Sequence, residues 1–214
     1  MTRPFWFGPM TEQLQRRWQR PLVTLGVIVI CLLVLVGQGL TGQVYDGLFF
    51  RLPTALSDAY RLLTPMFLHF SLLHIAFNLA IFWFFSRQLE TLLGAWRLIG
   101  IIVVAGLLSN LGQFVVSGPN FGGLSGVVSA LLSFVWLATK ITSLPLFMPR
   151  GLLGLVIIML GLGLLGVLDT IIGPIANTSH IIGLLSGLLM LVIYRYSGLL
   201  PVIGHQQTQA DQFG

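Results

Sequence analysis

Charged residues are scarce in this sequence. Asp, Glu, Lys and Arg together make up 8% of the 214 residues, whereas a soluble globular domain carries about 25%. This scarcity, together with the many large apolar side chains, excludes a soluble domain and an intrinsically disordered chain. Cys31 is the only cysteine, which excludes a disulfide-stapled scaffold. Because Cys31 lies inside an apolar run, we interpret it as a buried, inert thiol.

Apolar residues dominate instead, at 56% of the chain with a mean hydropathy of +0.94. The 11 basic residues lie at the ends of apolar runs and form no dense patch. That distribution argues against nucleic-acid binding and is typical of a multi-pass membrane protein. Each span needs roughly 20 apolar residues, and the sequence predicts six spans. We place them at about 21–40, 71–89, 95–115, 125–139, 151–168 and 179–196.

The six spans predict one all-α, polytopic membrane domain over residues 21–198. Residues 1–20 are basic and aromatic, so we expect them to rest at the cytoplasmic headgroups. The first span follows without a cleavage site and is interpreted as an uncleaved signal anchor. The polar tail, 199–214, is expected to be disordered. Basic residues number nine on the side of the termini and two on the other, which predicts cytoplasmic termini in the inner (plasma) membrane.

The fourth span is too short to cross a bilayer. Its fifteen residues reach about 22 Å as a helix, against about 30 Å of hydrocarbon. With Lys140 at the cytoplasmic surface, the helix begins at Ser125 inside the membrane, and the loop 117–124 dips into it. Irregular backbone at that depth needs a water-filled cavity, which we expect to open to the outer face. Ser125 could equally serve as a helix cap, and that alternative stays open.

Polar side chains recur in three spans at a similar depth. His74 and Asn78 are four residues apart and share one face of the second span, while His180 lies in the first turn of the sixth. An interhelical hydrogen bond explains any one of them, and it is the better interpretation of Asn78 alone. Polar groups within spans are costly and usually functional. Together with Ser125, they indicate a site just below the outer surface.

Small residues indicate how the fourth and sixth spans could meet. Gly183 and Gly187 form a small-xxx-small pair in the sixth span. The fourth span carries its own small residues: Ser125, Gly126, Ser129, Ala130 and Ser133. Plain helix packing explains such spacing as well. Close approach here would also bring His180 to Ser125, as a base beside a nucleophile.

The position of the acids favours a dyad over a triad. The nearest acid by depth is Asp169, in the connection between the fifth and sixth spans. Acyl transfer also needs donors for the oxyanion. Backbone N–H groups at the helix start around Ser125 can supply them, with the side chains of His74 and Asn78.

Two other classes of function compete with this hypothesis. A metal site would use His69, His74 and His180, but these lack a carboxylate or thiolate companion at ligand spacing, so no metal or other cofactor is expected. A transporter or channel is disfavoured because the chain shows no internal repeat and no charged residue in mid-span.

Three stretches of the sequence resemble the rhomboid family of intramembrane serine proteases, especially its bacterial GlpG type. They are HFSLLHIAFN (69–78), SGPNFGGLSGVV (117–128) and ANTSHIIGLLSG (176–187). The pair Tyr60–Arg61 is similar to the family's Trp-Arg pair in the first loop. Glu90 and Gly94 match its Glu-x-x-x-Gly motif at the end of the second span. The resemblance covers nearly all of residues 21–198.

The resemblance implies an endopeptidase that cleaves transmembrane protein substrates near the outer face of the lipid bilayer. It implies Ser125 as nucleophile and His180 as general base. His74, Asn78 and the backbone N–H groups of Leu124 and Ser125 are implied as the oxyanion hole. Supporting roles are implied for Gly123, Gly126, Ser129, Gly183, Gly187, His69 and Asn177. The fifth helix and the 167–178 loop are implied as gate and cap.

The sequence also departs from the GlpG type. That type has a tyrosine one turn after the serine, packed against the catalytic histidine, where this chain has Ser129. The orientation of His180 must then come from elsewhere, such as the Ser129 hydroxyl or water. Twenty residues before the first span are too few for the soluble N-terminal domain that such proteins often carry. The alternative is a rhomboid-like protein that binds membrane clients with weak or no catalysis, against which the retention of Ser125 and His180 argues.

Overall fold

A computed structural model describes residues 21–41, 43–167 and 175–201 of the chain. Within these ranges the structure consists of helices and loops, which confirms the all-α prediction there. The long helices are α1 (Leu22–Thr41), α2 (Leu72–Leu93), α3 (Ala95–Ser117), α4 (Ser125–Ile141), α5 (Leu152–Leu164) and α6 (Asn177–Tyr196). A short helix, Gln43–Leu48, and two 3-10 helices, Leu56–Leu62 and Thr64–Phe67, lie between α1 and α2. The predicted N-terminal segment and most of the predicted tail lie outside the described residues.

The helices fall into two classes of length. Four of them, α1, α2, α3 and α6, are long and apolar enough to cross a membrane. The other two are apolar but shorter, with 17 residues in α4 and 13 in α5. Helix α4 begins at Ser125 and ends at Ile141, two residues beyond its predicted end at about 139.

Helix α2 continues past its predicted end at about residue 89. It stops only at Gly94, whose φ of +90° favours glycine. The added turn carries Glu90, which is buried. Its carboxylate accepts hydrogen bonds from Val23 N (2.8 Å), Thr24 N (2.9 Å) and Thr24 Oγ1 (2.7 Å). Inside the fold, the N–H groups at the start of α1, which lack intrahelical partners, satisfy this carboxylate.

The last two helices also differ from their predicted bounds. Helix α5 ends at Leu164, earlier than the predicted 168, and Gly166 follows with a φ of +72°. Its N–H donates to the Gly163 carbonyl at 3.0 Å, the kind of bond that closes a helix C-terminus. Helix α6 begins at Asn177, two residues before the predicted start. His180 therefore remains in its first turn.

Helices α4 and α6 pack backbone against backbone. Gly183 lies against the carbonyl of Gly126, and Gly187 lies against the carbonyl of Ala130. A Cβ atom at either glycine would overlap the facing carbonyl. The Ser133 hydroxyl also donates to the Leu184 carbonyl across the interface at 2.7 Å. The small residues therefore allow an approach that no larger side chain would permit.

The connection between α1 and α2 ends in a buried histidine. His69 is 1% exposed, and its Nδ1 donates to the Phe67 carbonyl at 3.2 Å. Its ring meets that of His74 edge-on, with 5.0 Å between centroids. Burial, and to a smaller extent the neighbouring His74, lower the pKa of His69 to about 4. His69 is therefore neutral at pH 7.

The α4–α6 interface predicts that a single methyl group will destabilise the protein. A Cβ on Gly187 meets a backbone carbonyl that cannot rotate away, so we expect Gly187→Ala to lower the free energy of unfolding by about 1–3 kcal/mol. Reversible unfolding in detergent micelles measures this loss. Gly26→Ala in α1 is the matched control, because its Cβ would have no neighbour within 4 Å. Equal effects of the two substitutions would contradict the packing argument.

Burial of His69 predicts a pH-dependent stability. In the unfolded chain this histidine takes up a proton near pH 6.5, but in the folded chain only near pH 4. The contribution of His69 to the free energy of unfolding is therefore fully present above pH 6.5 and is lost as the pH falls from 6.5 to 4. The loss amounts to at most about 3 kcal/mol, at 1.36 kcal/mol per pKa unit. Between pH 7 and pH 4.5 the free energy of unfolding should therefore fall less in His69→Gln than in the wild type. Identical losses in both proteins would show that His69 does not carry this dependence.

Candidate active site

The first two turns of α2 carry two polar side chains on one face of the helix. Ser71 caps this helix, and its Oγ accepts a hydrogen bond from His74 N at 3.1 Å. Asn78 lies one turn later and is buried. Its Nδ2 donates to the His74 carbonyl at 3.0 Å, so one of its two N–H donors is already used. The Ser71 cap and the hydrogen bond from the Asn78 side chain hold His74 and Asn78 on the same face of α2.

Gly123, two residues before α4 begins, lies between the side chains of His74 and Ser125. Gly123 has a φ of +124°, in the region that glycine favours, and its N–H donates to the Pro65 carbonyl at 2.9 Å. A Cβ atom on Gly123 would lie 2.8 Å from His74 Nε2 and 3.8 Å from Ser125 Oγ. The imidazole and the hydroxyl therefore border the same small space, which exists because residue 123 has no side chain.

Ser125 is the first residue of α4 and does not cap it. Leu124 occupies the N-cap position, and no side-chain hydrogen bond caps the helix. The alternative interpretation of Ser125 as a helix cap is therefore wrong. Its side chain is half-buried, and it stands where the N–H groups of a first helical turn lack intrahelical partners. The positive end of the helix dipole also lies there.

The first turn of α6 brings His180 to the start of α4. Ser179 N donates to Gln113 Oε1 at 3.0 Å, and Ser179 Oγ would lie 2.6 Å from a Cβ on Gly126. Gly126 directly follows Ser125, and Ser179 directly precedes His180. The two candidate catalytic residues are therefore attached to backbone segments that contact each other. His180 is half-buried and close enough to His74 for electrostatic interaction.

Two further residues named from the resemblance also lie in this region. Ser129, the serine in place of the family tyrosine, is buried one turn after Ser125. Asn177 is the first residue of α6 and lies against Gly163 of α5. Asp169 is outside the described residues. Within the described ranges, no group of three His, Cys, Asp or Glu side chains is arranged to hold a metal ion.

Sequence reasoning passed over the polar residues of α3. Ser109, Asn110 and Gln113 are all buried. Gln113 holds the residue before His180, and Ser109 lies against Gly126 beside Ser125. Asn110 Nδ2 donates to the Leu62 carbonyl at 2.9 Å and fixes the 3-10 segment. The signal was available, because these are polar residues within an apolar span, like His74 and Asn78.

Known proteins resemble this chain over most of its length. The family model for the rhomboid domain matches residues 56–197. The chain is similar to the Rhomboid protease GlpG of Yersinia pestis (strain Pestoides F), Yersinia pseudotuberculosis serotype O:3 (strain YPIII) and Yersinia enterocolitica serotype O:8 / biotype 1B. In each case 38% of 178 residues are identical, covering 81% of this chain and 63% of the relative.

The chain spans somewhat less than two thirds of the length of these relatives. The rhomboid match nevertheless covers well over half of its residues and includes α2 to α6 entire. Four helices long and apolar enough to cross a membrane agree with that match. On this evidence the chain is a multi-pass membrane protein that belongs to the rhomboid family.

Proposed function

We propose that this protein is an intramembrane serine endopeptidase that cleaves other membrane proteins in or near their transmembrane segments. The observation that carries the proposal is the shared space at Gly123, which His74 Nε2 and Ser125 Oγ both border. The turn that bears His180 packs on the residue after Ser125. The relatives bear the name rhomboid protease, which supports the same activity for this chain.

The proposed chemistry is acyl transfer through a Ser125–His180 dyad. Ser125 Oγ attacks the scissile carbonyl carbon, and His180 accepts the hydroxyl proton. His180 then gives this proton to the leaving amine as the C–N bond breaks. A water molecule, deprotonated by His180, attacks the acyl-enzyme and releases the second product, and the proton returns to Ser125.

The oxyanion that forms in each step needs preorganised donors. The N–H groups of Leu124 and Ser125 at the start of α4 and the His74 side chain are the proposed donors. Asn78 has one N–H committed to the His74 carbonyl, so we assign it a double role. It holds the turn that carries His74, and its second N–H completes the donor set.

We further infer a six-span arrangement with both termini in the cytoplasm of the inner membrane. Helix α4 reaches about 26 Å at 1.5 Å per residue, less than the hydrocarbon thickness of about 30 Å. Lys140 near its end marks the cytoplasmic side, and Arg195 near the end of α6 donates to the Ile141 carbonyl there. Ser125 then lies below the outer surface, and the site opens toward the outer face.

The dyad predicts a specific pattern of lost activity. Ser125→Ala and His180→Ala should abolish cleavage of a generic transmembrane substrate in detergent, and Ser125→Ala should also abolish labelling by a fluorophosphonate. Asp169→Asn should leave cleavage intact, because no carboxylate takes part in the proposed mechanism. Ser117→Ala, at an exposed serine at the end of α3, is the matched control.

The contrary outcomes have distinct meanings. Labelling that persists in Ser125→Ala would remove Ser125 as the nucleophile. Damage in Asp169→Asn equal to that in His180→Ala would replace the dyad with a triad. A wild-type protein that binds membrane clients without cleaving them would favour the alternative of a non-catalytic rhomboid.

The oxyanion assignment predicts an order of effects on kcat. His74→Ala should lower kcat about 10²- to 10³-fold, the usual cost of one lost donor. Asn78→Ala should cost less, because part of its hydrogen bonding serves the helix and not the oxyanion. Turnover of a saturating substrate by both variants measures the order. Leu73→Ala, at an exposed position of the same turn as His74, is the control and should match the wild type. A larger loss of kcat in Asn78→Ala than in His74→Ala would overturn the assignment.

A further inference from the structure

The first residue of α6 holds a buried acceptor that the proposed mechanism does not use. Asn177 lies three residues before His180 and therefore on the same side of the helix. Its Oδ1 atom is buried and has no hydrogen-bond partner among the residues that the structure describes. A buried acceptor left unpaired destabilises a protein. A donor that reaches Asn177 during function would satisfy this acceptor.

Helix α5 covers this acceptor at a single point. Gly163 is the buried residue of α5, and a Cβ atom on it would lie 2.5 Å from Asn177 Oδ1 and 3.4 Å from its Cγ. Helix α5 rests against the amide because residue 163 has no side chain. Other residues of α5, among them Ile157 and Ile158, turn large apolar side chains outward. A displacement of α5 would thus uncover Oδ1 beside the general base.

The substrate of an intramembrane protease brings the donors that this acceptor lacks. A transmembrane segment must leave its helical conformation around the cleaved bond, and its main-chain N–H groups then lose their intrahelical partners. Unpaired N–H groups are costly where water is scarce. We propose that Asn177 is a substrate-binding residue. Its Oδ1 accepts a hydrogen bond from a main-chain N–H of the extended substrate once α5 has moved and Gly163 no longer contacts Asn177. The inference rests on the proposed protease function.

Removal of the acceptor tests the proposal directly. Asn177→Ala should lower kcat/KM for a transmembrane substrate about fivefold to tenfold, the size expected of one hydrogen bond. The rate of fluorophosphonate labelling at Ser125 should stay unchanged, because this reagent has no main-chain N–H. Thr178→Ala, in the same turn, should change neither quantity. Unchanged cleavage in Asn177→Ala would overturn the proposal, and so would a parallel loss of labelling, which would show that Asn177 only positions His180.

The covering role of Gly163 gives a second, independent test. Gly163→Ala places a Cβ atom 2.5 Å from Asn177 Oδ1, so α5 and the amide must separate, and we expect cleavage to rise severalfold. Gly161→Ala on the same helix is the matched control, since its Cβ would meet nothing within 4 Å. In an Asn177→Ala background, Gly163→Ala should bring no gain, because both the clash and the acceptor are gone. Additive effects of Gly163→Ala and Asn177→Ala would contradict the coupling.

Failure of this inference is distinguishable from failure of the proposed function. Wild-type protein that neither cleaves a transmembrane substrate nor reacts with a fluorophosphonate would remove the protease proposal itself. Wild-type protein that does both, with Asn177→Ala indistinguishable from it, would remove only the role of Asn177.

Discussion

The backbone contact between α4 and α6 is the constraint on which the rest of the structure depends. Gly183 faces the carbonyl of Gly126, and Gly187 faces that of Ala130. Within a membrane, helices gain little from burying apolar surface against each other, so close packing and hydrogen bonds must hold them together. Because Ser125 adjoins Gly126 and His180 stands three residues before Gly183, this packing also sets the separation of the two candidate catalytic residues.

The glycines that permit this contact carry a cost of their own. A glycine within a helix is less favourable than alanine by about 1 kcal/mol, and Gly183 and Gly187 both lie inside α6. The hydrogen bond from the Ser133 hydroxyl to the Leu184 carbonyl offsets part of that cost. At Gly123 the requirement is different, because its φ of +124° and the nearby His74 ring both exclude a side chain. The same residue type thus brings helices together in one place and leaves room for a reaction in another.

Much of this fold and site was predictable from the sequence, and the failures have physical reasons. Apolar run length located the long helices, and four-residue spacing placed His74 with Asn78. The predicted end of α2 was too early, because the buried position of Glu90 depends on partners in α1 that lie 66 and 67 residues away. Gln113 was overlooked because its role depends on Ser179, 66 residues away. Gly161 and Gly163 look equivalent in sequence, and only the fold separates them.

The scarcity of charge shapes how the polar interior is satisfied. Asn78, Asn110, Gln113 and Ser133 each form a hydrogen bond with a backbone group. In the part of the chain that the structure describes, neutral side chains therefore fix the helices near the proposed reaction centre without ion pairs. Two buried acceptors beside that centre lack donors among the described residues, His69 Nε2 and Asn177 Oδ1. A peptide unwound from its helix has the opposite deficiency, namely main-chain N–H groups without acceptors. The unpaired amide oxygen next to His180 is therefore complementary to an extended substrate, whereas a substrate that stays helical has no free N–H group to offer it.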